Sequence, residues 1–175
     1  MTVTAGPAGW VWGRYSRLGL SVCLVTLLLD QASKWWLLEG FDLDERGRVA
    51  LGPFLDLVYV KNIGISYSLL GQGTYAGQLA LAAFGALATC ALWVWLARGV
   101  TNTLMAVSLG LVMGGAIGNA IDRVLLGGVA DFVSLHALGF YWYVFNLADV
   151  AIVAGVIGLL YDSLLGSRKD AAKPL

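Results

Sequence analysis

Apolar residues gather in four long stretches, Leu18–Leu38, Tyr75–Ala97, Thr101–Leu126 and roughly Phe145–Leu165. A helix crossing the hydrocarbon of a bilayer needs about 20 such residues, so each stretch predicts one spanning helix. The segment Glu39–Thr74 follows another pattern. Val49–Leu70 is rich in β-branched and aromatic residues, Leu57–Val60 reads as a strand, and Gly47, Gly52, Pro53, Gly64 and Gly71 punctuate it. This pattern predicts a small sheet on the outer membrane face. No repeat, low-complexity tract or Ser/Gly linker divides the chain. Residues 1–175 therefore read as a single integral membrane domain, an all-α bundle of four transmembrane helices with a β-rich outer subdomain at about 39–74. The first stretch is too long, and too charged near its end, for a removable signal peptide, and it lacks a small-residue cleavage site, so it is expected to stay as a helix. Ser167–Leu175 is expected to be a short disordered end.

Composition agrees with the pattern. Of 175 residues, 59% are AVILMFWYC and 13% are charged, and the mean hydropathy is +0.78. Soluble domains run nearer a quarter charged. Lys+Arg and Asp+Glu number 11 each, so no basic surplus points to nucleic acid. One His and two Cys exclude a zinc finger or a Cys-rich scaffold, and Cys23 and Cys90, inside apolar runs, read as packing residues. Arg14, Arg17, Arg98, Arg168, Lys169 and Lys173 fall on one side of the predicted spans. Glu39, Asp42, Asp44, Glu45 and Asp56 fall on the other. Positive charge stays inside, so both termini are expected to be cytoplasmic. The seven Trp (10, 12, 35, 36, 93, 95 and 142) lie near span ends, where an interfacial belt belongs.

Charges inside the spans change the picture most. Asp30, Lys34, Asp122, Arg123 and Asp149 lie in or at the edges of apolar stretches, where an unpaired ion costs about 2.5–3.5 kcal/mol at mid-helix. The first and third spans run outward and the fourth inward. Asp30 and Lys34, then Asn119, Asp122 and Arg123, and finally Asn146 and Asp149 thus reach one depth near the outer face, with Asp131 in the short loop between the last two spans. Each has a plain structural reading. Asp30 and Lys34 are spaced as a helical ion pair, or they support a nearby site. Gly110, Gly114 and Gly118 form a stripe suited to close helix packing, which Asp122 continues. Arg123 could cap its helix or snorkel to headgroups, or with Asn119 orient a carboxylate. Asp149 could sit favourably in a first helical turn, Asp131 could be a solvated loop acid, and His136 reads as an interfacial residue.

Taken together at one depth, Asp131 and Asp149 suggest a carboxylate pair. Two carboxylates close together share one proton at neutral pH. The ionised member can draw a proton from a water that attacks a carbonyl, and the protonated member polarises that carbonyl and supplies the leaving amine. This is amide hydrolysis without a metal or other cofactor. H-E-x-x-H and G-x-S-x-G motifs are absent. Ser33 and Lys34, adjacent on a helix, point about 100° apart and make a poor dyad.

Five segments resemble a known family, the lipoprotein signal peptidases (signal peptidase II). They are Asp30-Gln31-Ala32-Ser33-Lys34, Asn62-Ile63-Gly64-Ile65-Ser66-Tyr67-Ser68, the run Gly114–Arg123, Val129-Ala130-Asp131-Phe132 and Phe145-Asn146-Leu147-Ala148-Asp149. The sequence departs from the family at Ile63 and Ile65, where smaller residues are commoner, and at Tyr67, where Phe is usual. The resemblance implies a four-helix bacterial inner-membrane aspartyl endopeptidase with an outer-face β-cradle. It would cut prolipoproteins just before a lipobox Cys carrying diacylglycerol, so its partners would be such precursors and membrane lipid. It also implies that Asp131 and Asp149 are catalytic, that Asp122 supports them, and that Asn119, Arg123 and Asn146 flank them. Asn62 and Gly64 would face substrate, and Asp30 and Lys34 would form the first-helix pair. A monomer suffices for this chemistry. The rival reading, a small proton-coupled transporter or channel, expects acids spread through the membrane depth.

Overall fold

A computed structural model of the chain describes residues 11–64 and 74–171, with side chains in the last helix described as far as Leu164. Trp10, Ile65–Ser68, Gly71 and residues 172–175 lie outside the described residues. The four apolar stretches are helices close to their expected bounds: α1 Ser16–Trp35, α3 Tyr75–Gly99, α4 Thr103–Leu126 and α5 Leu147–Ala171. A π-helical turn, Trp36–Gly40, prolongs α1, and a short helix α2, Leu43–Arg46, follows it. Side-chain oxygens cap two starts. Thr74 Oγ1 accepts from Gly77 N at 3.1 Å, and Asn102 Oδ1 accepts from Met105 N at 2.9 Å, each satisfying a backbone donor that the helix cannot. Helix α5 runs to Ala171, so 167–171 is helical where a disordered end was expected. No Gly or Pro interrupts that stretch, and the first breaker in sequence is Pro174.

Among the described residues, α3, α4 and Leu147–Leu164 of α5 are long and apolar enough to cross a membrane. Helix α1 falls short of that by composition, because Arg17, Asp30, Gln31 and Lys34 dilute its apolar run. Helix α4 is the hub and packs against α1, α3 and α5. The glycine stripe explains how α1 comes so near. A Cβ on Gly114 would stand 2.6 Å from the Cys23 carbonyl oxygen, and one on Gly118 would strike the Asp30 carboxylate. Cys23, Leu96, Ala106, Leu109 and Met113 form the buried core of the bundle.

At the end where α1 and α4 finish and α5 begins lies one antiparallel sheet of order β1-β2-β3-β4. Its strands are β1 Val49–Ala50, β2 Leu55–Asn62, β3 Val129–Ala137 and β4 Phe140–Phe145. The expected strand is thus part of β2, but half the sheet comes from elsewhere. The stretch read as a short loop carrying Asp131 is a hairpin turning at Leu138 and Gly139, both at positive φ (52° and 80°). Leu37, Leu43 and Phe132 form a second core between this sheet and the π-helical turn and α2. Strand β2 runs beside β3 with Val60 opposite Asp131 and Asn62 opposite Val129. Only Asn146 separates β4 from α5.

Candidate active site

Three helices and two strands converge where the sheet meets the bundle. From α1, Lys34 Nζ reaches Asp30 Oδ2 at 2.8 Å, Asp122 Oδ2 at 2.7 Å and Asn119 Oδ1 at 3.3 Å. All three ammonium protons find acceptors, and the residue is only 4% exposed. The pair expected on α1 is therefore present, but it is wider than a helical pair because Lys34 ties α1 to α4. Asp30, fully buried, also accepts from Ala148 N on α5 at 3.0 Å, and Asp122 accepts from Ala130 N on β3 at 3.1 Å. Carboxylates accepting from peptide donors in this way fix the start of α5 and the start of β3 against the bundle.

That frame presents the two aspartates. Asp131, 1% exposed on β3, accepts from Asn146 Nδ2 at Oδ1 (2.7 Å) and from Asn62 Nδ2 at Oδ2 (3.0 Å). Asp149, half-buried in the first turn of α5, accepts from Asn119 Nδ2 at 2.9 Å and from Asn146 N at 3.2 Å. Asn146 Oδ1 accepts in turn from Asp149 N at 2.9 Å. Asn146 and Asp149 therefore form a reciprocal capping box, and the first-turn reading of Asp149 holds alongside its contact with Asn119. Asn146 links both aspartates, one through its amide and one through its peptide N–H. Its amide also reaches Asn119 Oδ1 at 3.1 Å.

The electrostatics follow from this packing. Burial pushes the Asp131 carboxyl up to about 6. The Asn62 hydrogen bond opposes the rise, the Asp149 charge adds to it, and Asn146 and Lys34 oppose it. Asp131 lines a cavity of about 630 Å³ together with Lys61, Asn62, Ile63, Arg123 and Trp142. Asp149 lines a neighbouring apolar groove of about 370 Å³ with Phe145, Val150, Val153 and Ile157. The two carboxyls therefore open onto different hollows, Asp131 onto one of mixed polarity and Asp149 onto an apolar one.

Other expected residues fall as follows. Arg123 Nη1 donates to the Asn119 carbonyl at 3.0 Å, within its own helix, and among the described residues it meets no carboxylate. Gly64 N donates to Asn62 Oδ1 at 3.0 Å. His136, read as a plain interfacial residue without an acidic neighbour, has one. Its Nε2 lies 3.2 Å from Asp56 Oδ1, and its ring stacks on Tyr141. The sheet brings together residues that sequence distance kept apart. The Arg48 guanidinium, 2.6 Å from Asp56, holds that carboxyl below its usual range. Two glutamines went unread. Gln31 Nε2 donates to Asp122 at 3.0 Å and to the Gly118 carbonyl at 3.3 Å, and the buried Gln78 donates to the Ile63 carbonyl. The available signal was an amide inside an apolar stretch. Among the described residues, no group of three or more His, Cys, Asp or Glu is placed to hold a metal ion.

Known proteins match this chain over most of its length. The family profile described as Signal peptidase (SPase) II matches residues 22–165. The lipoprotein signal peptidase of Rhodopseudomonas palustris is 54% identical over 155 residues, 86% of this chain and 93% of the relative. That of Methylocella silvestris is 52% identical over 151 residues, 86% and 88% of the two chains. Two solved bacterial membrane enzyme structures, obtained by the in meso method, share the fold. One, at 1.9 Å, has a TM-score of 0.75 at 23% identity, covering 89% of this chain and 98% of that one. The other, at 2.3 Å, has a TM-score of 0.72 at 24% identity, covering 91% and 94%. By its family match and by relatives above half identity across most of its length, this chain belongs to the signal peptidase II family, the membrane peptidases that the resemblance implied.

Proposed function

We propose that this chain is an aspartyl endopeptidase of the bacterial inner membrane. It removes signal peptides from prolipoproteins by hydrolysing the bond before a diacylglyceryl-modified Cys. The observation that carries this reading is the pair Asp131 and Asp149, each accepting two donors and joined through Asn146. Asp131, with its raised proton affinity, is the natural holder of the shared proton. Asp149 takes a proton from water as its oxygen attacks the carbonyl carbon, and Asp131 gives its proton to the carbonyl oxygen. Collapse of the gem-diol breaks the C–N bond: the amine leaves with the proton from Asp149, a gem-diol hydroxyl returns a proton to Asp131, and the signal peptide leaves as a carboxylic acid that ionises in water. Asn119, Asn146 and Asn62 hold the carboxyls, Arg123 lines the substrate cavity, and Lys34, Asp30 and Asp122 brace them.

In this reading 1–175 is one membrane domain. Helix α1 is a fourth span, supported by its exposed Leu24, Val25, Leu28 and Leu29. The termini are cytoplasmic and the sheet lies on the outer face. The lipid requirement fits two apolar surfaces, the α5 groove that Asp149 lines and a groove of about 480 Å³ between α3 and α4 lined by Leu79, Ala82, Ala86, Ile117 and Ile121. Apolar binding there, remote from the reacting bond, orients it. A proton-coupled transporter needs ionisable groups along the depth of the bundle. Among the described residues the buried ones, Asp30, Lys34, Asp56, Asp122 and Asp131, gather at the sheet end.

The test is cleavage of a diacylglyceryl-modified lipobox precursor by purified protein in detergent with chelator, beside an unlipidated precursor. Wild type should cut only the lipidated form. Asp131→Asn and Asp149→Asn should each lose about 10²–10⁴-fold in kcat while remaining folded. An inactive, well-folded wild type would sink the proposal. An active Asn variant would move the chemistry to another carboxyl, with Asp122 next.

A further inference from the structure

Gln78 is a polar exception in the first turns of α3. Its side chain is 1% exposed, and its Nε2 donates to the carbonyl of Ile63, 15 positions earlier. A buried amide without a partner costs about 1–3 kcal/mol, and this bond offsets part of that cost. Its target matters more. The β2–β3 ladder ends at Asn62 opposite Val129, so the Ile63 carbonyl lies one residue past the last pair and gains nothing from the sheet. Just beyond it, Gly64, at φ 129°, turns its N–H back onto Asn62 Oδ1. With that oxygen engaged the Asn62 amide cannot flip, and its Nδ2 points at Asp131 Oδ2. A hydrogen-bonded chain therefore runs from α3, through the Ile63 peptide and the Asn62 turn, to Asp131.

We propose that Gln78 is a positioning residue for the peptidase, fixing the Ile63 peptide so that the Asn62 amide stays on Asp131. The inference rests on reading Asp131 as a reacting carboxyl. Other groups act on Asp131 from every side. Asn146 does so from the β4–α5 junction, Asp149 from α5 and Lys34 from α1, Arg123 and Lys61 line the same cavity, and Asp122 holds the neighbouring Ala130 peptide. Gln78 reaches the carboxyl by the separate route through Asn62. Losing that route removes a donor that favours the ionised form, so the proton is then held to higher pH.

The experiment compares wild type, Gln78→Met, Asn62→Ala and the double variant. It measures kcat and KM against pH on the lipidated precursor, Tm, and titration of the Asp131 carboxyl by infrared difference against Asp131→Asn. Gln78→Met should fold with a Tm near wild type, and its kcat should fall about tenfold with KM changed less than about twofold. Its alkaline limb and infrared midpoint should both move up, and neither should move further once Asn62 is Ala. A lower Tm with wild-type kcat and titration, or effects that add to those of Asn62→Ala, would make Gln78 a packing residue and overturn the proposal. The infrared titration does not depend on cleavage. An inactive wild type would therefore count against the peptidase reading, and the coupling of Gln78 to Asp131 would still be decided.

Discussion

Asp131 holds its proton more tightly when folded than when unfolded, because burial lifts its carboxyl from the ordinary 3.8 to about 6. Its contribution to stability is therefore full below about 4 and is lost as pH rises through about 6. Asp131→Asn, uncharged at every pH, should flatten this decline, read as Tm against pH in detergent. In the proposed mechanism the same proton serves the reaction, so kcat/KM should bend downward above about 6, approaching tenfold per pH unit. A profile level through that region would count against Asp131 as the proton carrier. Lys34 works by a different balance, since it bridges two buried carboxylates. Lys34→Met should cost about 3–5 kcal/mol, measured by denaturant or thermal unfolding. The carboxyls and asparagines were legible in the sequence because a polar residue in an apolar stretch declares itself. Their partners were not. Arg123 bonds a carbonyl of its own helix and His136 meets Asp56, because side-chain direction and strand pairing are settled only by the fold.

Helix α4 depends on what it lacks. The Cys23 carbonyl opposite Gly114 is backbone and cannot step aside, so Gly114→Ala must push α1 away. That should cost about 1–3 kcal/mol and lower kcat as well, since Lys34 and Asp122 would part; Tm and turnover report the two effects. The β3–β4 turn holds a leucine at φ 52°, a conformation that disfavours side chains other than Asn or Asp by about 1–2 kcal/mol. Leu138→Asn should accordingly raise Tm in detergent. The helices were readable to within a few residues at most ends because their apolar runs are long. The hairpin was not. Val129–Phe132 is buried at every position, so it shows no alternation, and the aromatic run of β4 reads as the approach to a span.

On the scale of the molecule, the proposed orientation puts the β3–β4 turn on the periplasmic face of the membrane and the α3–α4 connection on the cytoplasmic face. In a background without Cys23 and Cys90, Leu138→Cys should react with an impermeant maleimide on intact cells. Val100→Cys should react only after permeabilisation, and the opposite pattern would invert the topology. The overall plan, helices with a sheet at one end, was legible from hydropathy and charge. That both inter-helix segments at this end share a single sheet was not, since pairing β2 with β3 joins residues about seventy positions apart. Strand β4 continues into α5 through Asn146 alone, and a junction of one residue has no slack. A residue inserted there would turn α5 by about 100° and advance it by about 1.5 Å. Asp149 would then swing off Asn119 although every side chain was still present. The phase between strand and helix is thus a component of the proposed active site in its own right, one that can be lost without changing any functional group.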